Sequence, residues 1–514
     1  MGCGGAVEPE RFRDIEKILA PIWRVLPKNR HGRAEWQMLR YVTHRYFVQT
    51  SSLLIRGFEP ARRVNDSNIG SAQILVEKVP SLVESVLEGK RAATGFTLED
   101  AVSMVATLEQ LIFDSESAIL QKVYARRNLD RDLSDHELSG VIEEYMVHWF
   151  MNEDVPRIDI LISNSSLMQE VFPHWDDIKR FVAGVVKTQQ YSRQQKPAGG
   201  EGSAAMTHSY SFDDAHKVVG SVTKTFASYW ESECQAIKAS LVELDKDGTG
   251  RVSLSKFYGA NLDGEWRFGE SETYLRDLGA LDETSSWRGK QVIIPNYMQG
   301  ASNCIVTTAN YMVCCVNECE PILNDIEAAM GGPVAMPADL LRLVQNMTSF
   351  DDEPLAISKA LETQLYRIGE THGGKVPLHG RLFAQWLHYA FPRECPFPHK
   401  AGSHVGLAPM EYGDSYKVSE DEVSTYAASR NASLSAAQDL DEAQQMLQWN
   451  EDEELIADYS QQLRAPWEGK WSLLQLSCTV LLLLVLVGTM GRGEKHKGSG
   501  RGILGDFDSK SHFV

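Results

Sequence analysis

The chain has 514 residues, 70 Asp and Glu against 51 Lys and Arg, 24% charged and 9% aromatic residues. That is the composition of a globular chain of two to four domains rather than a disordered one. A net charge of −19 and eight cysteines exclude a general nucleic-acid binder, which needs a basic face, and a disulfide-scaffolded small secreted protein.

Residues 1–9 offer Gly2 for N-myristoylation and Cys3 for palmitoylation, with Ala6 where Ser or Thr is usual. The same stretch also reads as a small flexible leader. Residues 10–190 read as a helical domain. Thr97-x-x-Asp100 resembles a helix start, and Ser134-x-x-Glu137 is a capping box, in which hydroxyl and carboxylate satisfy each other's orphan amides. Behind it Leu138, Val141, Ile142, Tyr145, Met146 and Trp149 fall on one helical face. Asp130 and Asp132 lack the central glycine of an ion loop, with Asp135 standing there. Residues 191–208, rich in Gly, Ala, Ser and Pro, form a linker.

Residues 209–300 carry the one interpretable ion-site motif. Asp245, Asp247 and Thr249 alternate so that their oxygens converge, Gly250 makes the turn at position six, Arg251 offers its backbone carbonyl, and Ser253 stands at position nine. Val222, Phe226, Trp230, Ile237, Leu241 and Leu244 stripe an entering helix; Leu254, Phe257 and Tyr258 open an exiting one. Position twelve, where a bidentate Glu belongs, holds Lys256. Calcium affinity weaker than about 10⁻⁴ M is therefore expected. A second, degenerate unit follows: an entering helix over 274–281, a loop from Asp282 with Trp287 in the glycine position, and a strand over 292–294 able to bridge to 251–253.

In residues 301–400, Cys304, Cys314, Cys315, Cys319 and Cys395 do not show the short paired intervals of a zinc site. With 315, 319, 322, 323 and 326 on one helical stripe, the spacing points to structural thiols rather than disulfides or metal. His372, His379, His388, Cys395 and His399 read as a turned structural corner, with His388 partly buried on a helix marked by Leu382, Trp386 and Tyr389, and with a Cys/His nucleophilic dyad as the chemical alternative. Residues 401–470, with 14 Asp and Glu against 4 Lys and Arg, read as an acidic spacer with an exposed helix over 436–463.

Residues 471–490 carry no charge, and 20 helical residues reach about 30 Å, the thickness of a bilayer core. They read as a transmembrane helix, followed by a basic tail at 491–514. The layout is tail-anchored, single-pass and mostly cytosolic, although Arg492, Lys495, Lys497, Arg501 and Lys510 would by the positive-inside rule place the tail in the cytosol. The fold class is thus mainly α: an N-terminal helical domain, an EF-hand-like pair with a short β bridge, a helical C-terminal region and one C-terminal transmembrane helix.

Several blocks carry a family resemblance: LPKNRHGR at 26–33, HRYFVQ at 44–49, FYGANLDGEWRFGESETYLRDLGALDE at 257–283, VIIPNYM at 292–298, CCVNECE at 314–320, and VPLHGRLFAQWLH with RECPFPH at 376–399. Over roughly residues 20–400 the chain resembles a broad set of EF-hand-bearing proteins from algal protists. The resemblance implies a shared fold and an EF-hand, and transfers no catalytic residue. The functional expectation is a membrane-anchored EF-hand protein with a weak or degenerate calcium site, acting as a regulatory or interaction module on a protein partner. The alternatives are an enzyme using the 372–399 block and a calcium-independent scaffold.

Overall fold

Three capping boxes start the long helices. The computed structural model describes residues 9–59, 94–151, 155–172, 174–195, 209–260, 268–285, 288–306, 310–348, 355, 357–404, 406–433 and 446–463. In chain order these open with α1 (Pro9–Val25), α2 (Trp36–Ser51), β1 (Leu53–Ile55), α3 (Leu98–Arg126) and α4 (Asp135–Phe150). Then come α5 (Val155–Ser163), α6 (Ser165–Val171), α7 (Trp175–Gln195) and α8 (Phe212–Leu244). Thr97 with Asp100, Ser134 with Glu137 and Ser211 with Asp214 close reciprocal caps on α3, α4 and α8, each such cap being worth about 1 kcal/mol. The expected α4 stripe, Leu138 through Trp149, is wholly buried in the core shared by these helices.

That core takes in one element from far along the chain. The strands β5 (Ile305–Val306) and β6 (Tyr311–Val313) form a sheet in the order β1-β6-β5, with Leu53 opposite Val313. Tyr311 reaches into the helical core, where the Trp149 indole donates to its hydroxyl at 3.1 Å and the hydroxyl donates to Glu116 at 3.2 Å. Glu116 is 2% exposed, and burial pushes its carboxyl up to about 7 against the lowering effect of its hydrogen bonds with Thr223 and Tyr311.

Between those helices and β5 lie two helix–loop–helix units. The first runs from α8 through β2 (Arg251–Ser253) to α9 (Leu254–Gly259); the second from α10 (Glu272–Asp277) through β3 (Leu281–Asp282) and β4 (Gln291–Ile293) to α11 (Ile294–Met298). β2 pairs antiparallel with β4, Val252 opposite Val292, as the bridge expectation has it. Ile294, expected at the end of the strand, instead opens α11, because Pro295 has no N–H to give a ladder and its fixed φ suits a first helical turn.

Further elements are α12 (Cys319–Met330), β7 (Val334–Ala335), α13 (Pro337–Val344), α14 (Lys359–Thr371), β8 (Val376–Pro377), α15 (Arg381–Ala390) and α16 (Glu420–Ser433), with single helical turns at Ala301–Asn303, Pro409–Tyr412, Asp414–Tyr416 and Ser460–Leu463. α12 docks on α2 through one buried guanidinium. Arg45, 0% exposed, donates to Glu320 (2.8 Å) and Glu327 (2.6 Å) and to Asn324 (2.7 Å). Glu327 also takes the His379 Nε2–H at 2.8 Å, while His379 Nδ1 faces the Tyr459 hydroxyl at 3.1 Å. Burial pushes Glu327 up, but the His379 and Arg45 hydrogen bonds and the Arg45 charge outweigh it and keep the carboxylate ionised. Burial pushes His379 down against the pull of Glu327, so the imidazole is neutral.

Four sequence expectations are corrected here. No helix among the described residues is long and apolar enough to cross a membrane. The mainly helical class stands, and the C-terminal transmembrane helix and single-pass placement are removed. The apolar run at 471–490 that suggested them, diluted by Ser472, Gln475, Ser477 and Thr479, lies outside the described residues, as do 1–8, 196–208 and the tail at 491–514. The chain divides into two units, Met1–Leu463 and Arg464–Val514, and every described residue belongs to the first.

The acidic spacer is the second correction. Residues 446–459 form no exposed helix; they run along α15, where Arg381 takes the Asp452 carbonyl and Asn450, and Tyr459 is buried. Gln462 then donates to the Lys28 carbonyl at 2.7 Å, tying the end of this unit to its beginning. The acidic side chains had masked the polar partners waiting on α15.

The cysteines are the third. Six of them form disulfides, Cys234–Cys315, Cys304–Cys314 and Cys319–Cys395. Spacing within the Cys block could not reveal this, because Cys234 lies outside it and Cys395 closes a span of 76 residues. Cys315 also precedes α12 instead of sharing its stripe. Finally, His388, expected to be partly buried, is wholly so.

Two predictions follow from the buried charges. Glu116 has a folded pKa above its unfolded one, so the stability it contributes is full below the unfolded carboxyl range and is lost as pH rises through about 7. Thermal unfolding between pH 5 and 8 should show that loss, on the order of 3 kcal/mol, and Glu116→Gln should flatten it. Arg45→Met strands Glu327 and Glu320 without their cation. Chemical denaturation should show a loss of about 3–5 kcal/mol, part of it recovered by adding Glu327→Gln.

Candidate functional site

α8 ends at Leu244, and Asp245 follows as its cap. The loop then folds on the Asp245 carboxylate. One oxygen accepts the Thr249 N–H at 3.0 Å and the other the Gly250 N–H at 2.9 Å. Gly248 and Gly250 take φ of +66° and +68°, conformations that glycine adopts without strain. Asp247 is exposed, Thr249 and Ser253 are half-buried, and Arg251 lies in β2. The five expected ligand residues therefore share one short loop with its turn at the expected glycine. Ser253 faces Ser255, oxygen to oxygen at 3.3 Å, and Lys256 turns away to cap the Leu244 carbonyl at 3.3 Å.

A segment 148 residues downstream supplies the loop's cation. Arg393 donates from Nε to the Asp245 carboxylate at 3.1 Å and from Nη2 to the Asp245 backbone carbonyl at 3.0 Å. The contact is flush: a Cβ on Gly250 would stand 1.8 Å from the Pro392 carbonyl oxygen. Gly250 is thus required twice, for its φ and for this approach. The second unit repeats the pairing, since Arg251 donates to Asp282, the first residue of the degenerate loop, at 2.8 Å. Arg251 also takes Gln448 at 2.9 Å. Arg288 lies in the field of Asp247 and Asp282.

The block 391–399 is a strap across both units. Asn296 on α11 clamps Phe397 through two hydrogen bonds, 2.6 and 2.9 Å, and reaches the Gly279 carbonyl at 3.0 Å. His399 donates to the same carbonyl at 2.7 Å, and burial pushes its imidazole down to about 4. His388 holds the Cys395 carbonyl at 2.7 Å and is lowered well below its usual range by burial. Cys395 is bonded to Cys319 at the start of α12.

Next to the strap, the apolar face of the two units is covered by the chain itself. Val418, Val423 and Tyr426 pack on the cluster built from Phe257, Tyr258, Leu275 and Tyr297. Glu422 accepts from the Tyr258 hydroxyl and the Glu272 N–H at 2.9 and 2.8 Å, and Tyr426 donates to Glu272.

The histidines of the 372–399 block are dispersed. His379 belongs to the Arg45 cluster, His388 and His399 hold backbone carbonyls, and Cys395 carries no thiol to act as a nucleophile. The residue that sequence reasoning missed is Arg393. It lies within the block quoted for its cysteine and histidine, but no spacing rule connects it to Asp245.

Calcium can be tested against this geometry. The alternating oxygens and the glycine turn suit a hard cation, yet Asp245, the first ligand, has both carboxylate oxygens engaged and Arg393 beside it. Among the described residues no group of three or more His, Cys, Asp or Glu is gathered so as to hold a metal ion. No protein-family model, no curated protein and no solved structure matches this chain.

Proposed function

We propose that this chain is an interaction scaffold built on an EF-hand pair, in which protein side chains hold the state that calcium would otherwise set. Calcium is then a weak competitor of Arg393 rather than a structural ion. The observation that carries the reading is the double hydrogen bond of Arg393 to Asp245, at the position where an EF-hand has its first ligand. The β2–β4 bridge and the loop turn at Gly250 support the pair.

The covered apolar face supports the scaffold half of the reading. An EF-hand sensor opens on calcium to expose a groove for a target helix. Here residues 418–426 already occupy that face, fixed by Glu422 and Tyr426. A cation entering the loop must break the Arg393 contacts and gain too few oxygens to repay the change, because Lys256 replaces the bidentate Glu.

Calorimetric titration of the whole chain with calcium tests this. The wild type should not saturate below about 10⁻⁴ M, Arg393→Gln should bind about tenfold more tightly, and Asp245→Ala with Asp247→Ala should bind nothing. Micromolar binding by the wild type, or an Arg393→Gln variant no tighter than it, would overturn the reading.

A further inference from the structure

The acceptor motif for N-linked sugar, Asn-x-Ser/Thr, occurs four times in the chain, at Asn65, Asn164, Asn346 and Asn431. We propose that Asn164 and Asn346 carry N-linked glycans, and that the folded unit accordingly matures in an oxidising secretory compartment. Of the other two, Asn65 lies outside the described residues and Asn431 lies within α16. The proposal depends neither on Arg393 nor on calcium.

The fold leaves room for an oligosaccharide at both acceptors. Asn346 lies just past the end of α13 and is exposed, as is Thr348. Met347 between them packs on the core formed by α12 to α15, which anchors the backbone of the motif. Asn346 Nδ2 donates to the Arg342 carbonyl at 2.8 Å. An asparagine substituted on Nδ2 keeps one N–H, so that bond survives the modification. Asn164 joins α5 to α6 and is exposed, as is Ser166. Its Oδ1 accepts the Ser166 and Leu167 N–H groups at 3.1 and 3.2 Å. Those bonds use only the oxygen, so a sugar on Nδ2 leaves them in place.

The motif is short, and a second feature of the fold singles out these copies. Cys234–Cys315, Cys304–Cys314 and Cys319–Cys395 pair six of the eight cysteines, and all six but Cys319 are buried. Sulfurs brought together from such distant segments meet as the core closes, so the oxidant is needed while the chain folds. The cytosol keeps thiols reduced, whereas secretory compartments let disulfides form and persist. Surface Asn-x-Ser/Thr motifs take their sugar in that same setting. Sugar acceptors and cystines therefore point to one place, which is not the cytosol expected from the tail-anchored layout.

The transfer balances with a polyprenyl-pyrophosphate-linked oligosaccharide as donor. A bond forms from Asn Nδ2 to the anomeric carbon of the donor sugar. The bond from that carbon to the pyrophosphate oxygen breaks, and the polyprenyl pyrophosphate leaves with the electron pair. One Nδ2 proton passes to solvent, and nothing is oxidised or reduced. Each cystine forms by exchange with a protein disulfide, which takes up the two electrons and two protons and becomes a dithiol.

The test uses the full chain purified from the cells that make it, with free thiols alkylated at lysis. Treatment with a peptide-N-glycosidase should increase its mobility on a denaturing gel and convert Asn164 and Asn346 to Asp, read by mass spectrometry. Peptide maps without reductant should show the three cystines. Ser166→Ala with Thr348→Ala, made in the same cells, should abolish conversion at both asparagines, while the Asn164 hydrogen bonds and the cystines remain. Either asparagine unmodified in the wild type, or the six cysteines recovered as alkylated thiols, would overturn the proposal. Conversion that persists in the double variant would be spontaneous deamidation and would overturn it as well.

Discussion

The Arg45 guanidinium sets the frame on which the candidate site is assembled. A charge with no exposed surface is tolerated only where every donor is satisfied and the opposite charge is adjacent, and Arg45 finds both on α12 in Glu320, Asn324 and Glu327. That requirement fixes the position of α12 against α2 to within hydrogen-bond tolerance. α12 begins at Cys319, Cys319 holds Cys395, and Cys395 lies two residues from Arg393 in the loop. A buried ion pair is weak evidence for stability in itself, and here it joins two helices that lie far apart in the chain. Shifting α12 would take Glu327 away from both Arg45 and His379.

Both helix–loop–helix units follow one electrostatic rule. Each opens its loop with an aspartate, and each aspartate is answered by an arginine, Asp245 by Arg393 and Asp282 by Arg251. A guanidinium brings one delocalised charge and a planar fork of donors, where calcium brings two charges and asks for six to eight oxygens. The arginine therefore satisfies a loop that is short of oxygens, and it cannot diffuse away. The charge of each loop's first aspartate is thus balanced from within the chain.

Much of this was legible in the sequence, for local reasons. The capping boxes at Thr97 and Ser134, the α4 stripe, the end of α8 at Asp245 and the bridge between 251–253 and the strand near 292 all depend on residues a few positions apart. Periodicity and turn chemistry act over that range. The features that spacing could not reach are long-range: Arg393 on Asp245, Cys234 on Cys315, and residues 446–459 on α15. The last of these was hidden by its composition, since Asp452, Glu453 and Glu454 look solvated until Arg381 and its neighbouring amides are placed beside them. The cysteines misled for a related reason, because their sequence pattern reports nothing about which segments the fold brings together.

β6 sits in the middle of its sheet, and Tyr311 stands inside the helical core. During synthesis the helices of the first 244 residues can form their caps and stripes as they emerge, but the place reserved for Tyr311 and Val313 stays open until the chain has grown past them. Trp149 and Glu116 then wait without the hydroxyl that joins them, and β1 waits without its only described neighbour. A core completed from so far downstream has high contact order and closes slowly. The N-terminal helices would thus emerge as a body with one gap in its wall, closed by a strand that arrives only after both loop units have been made.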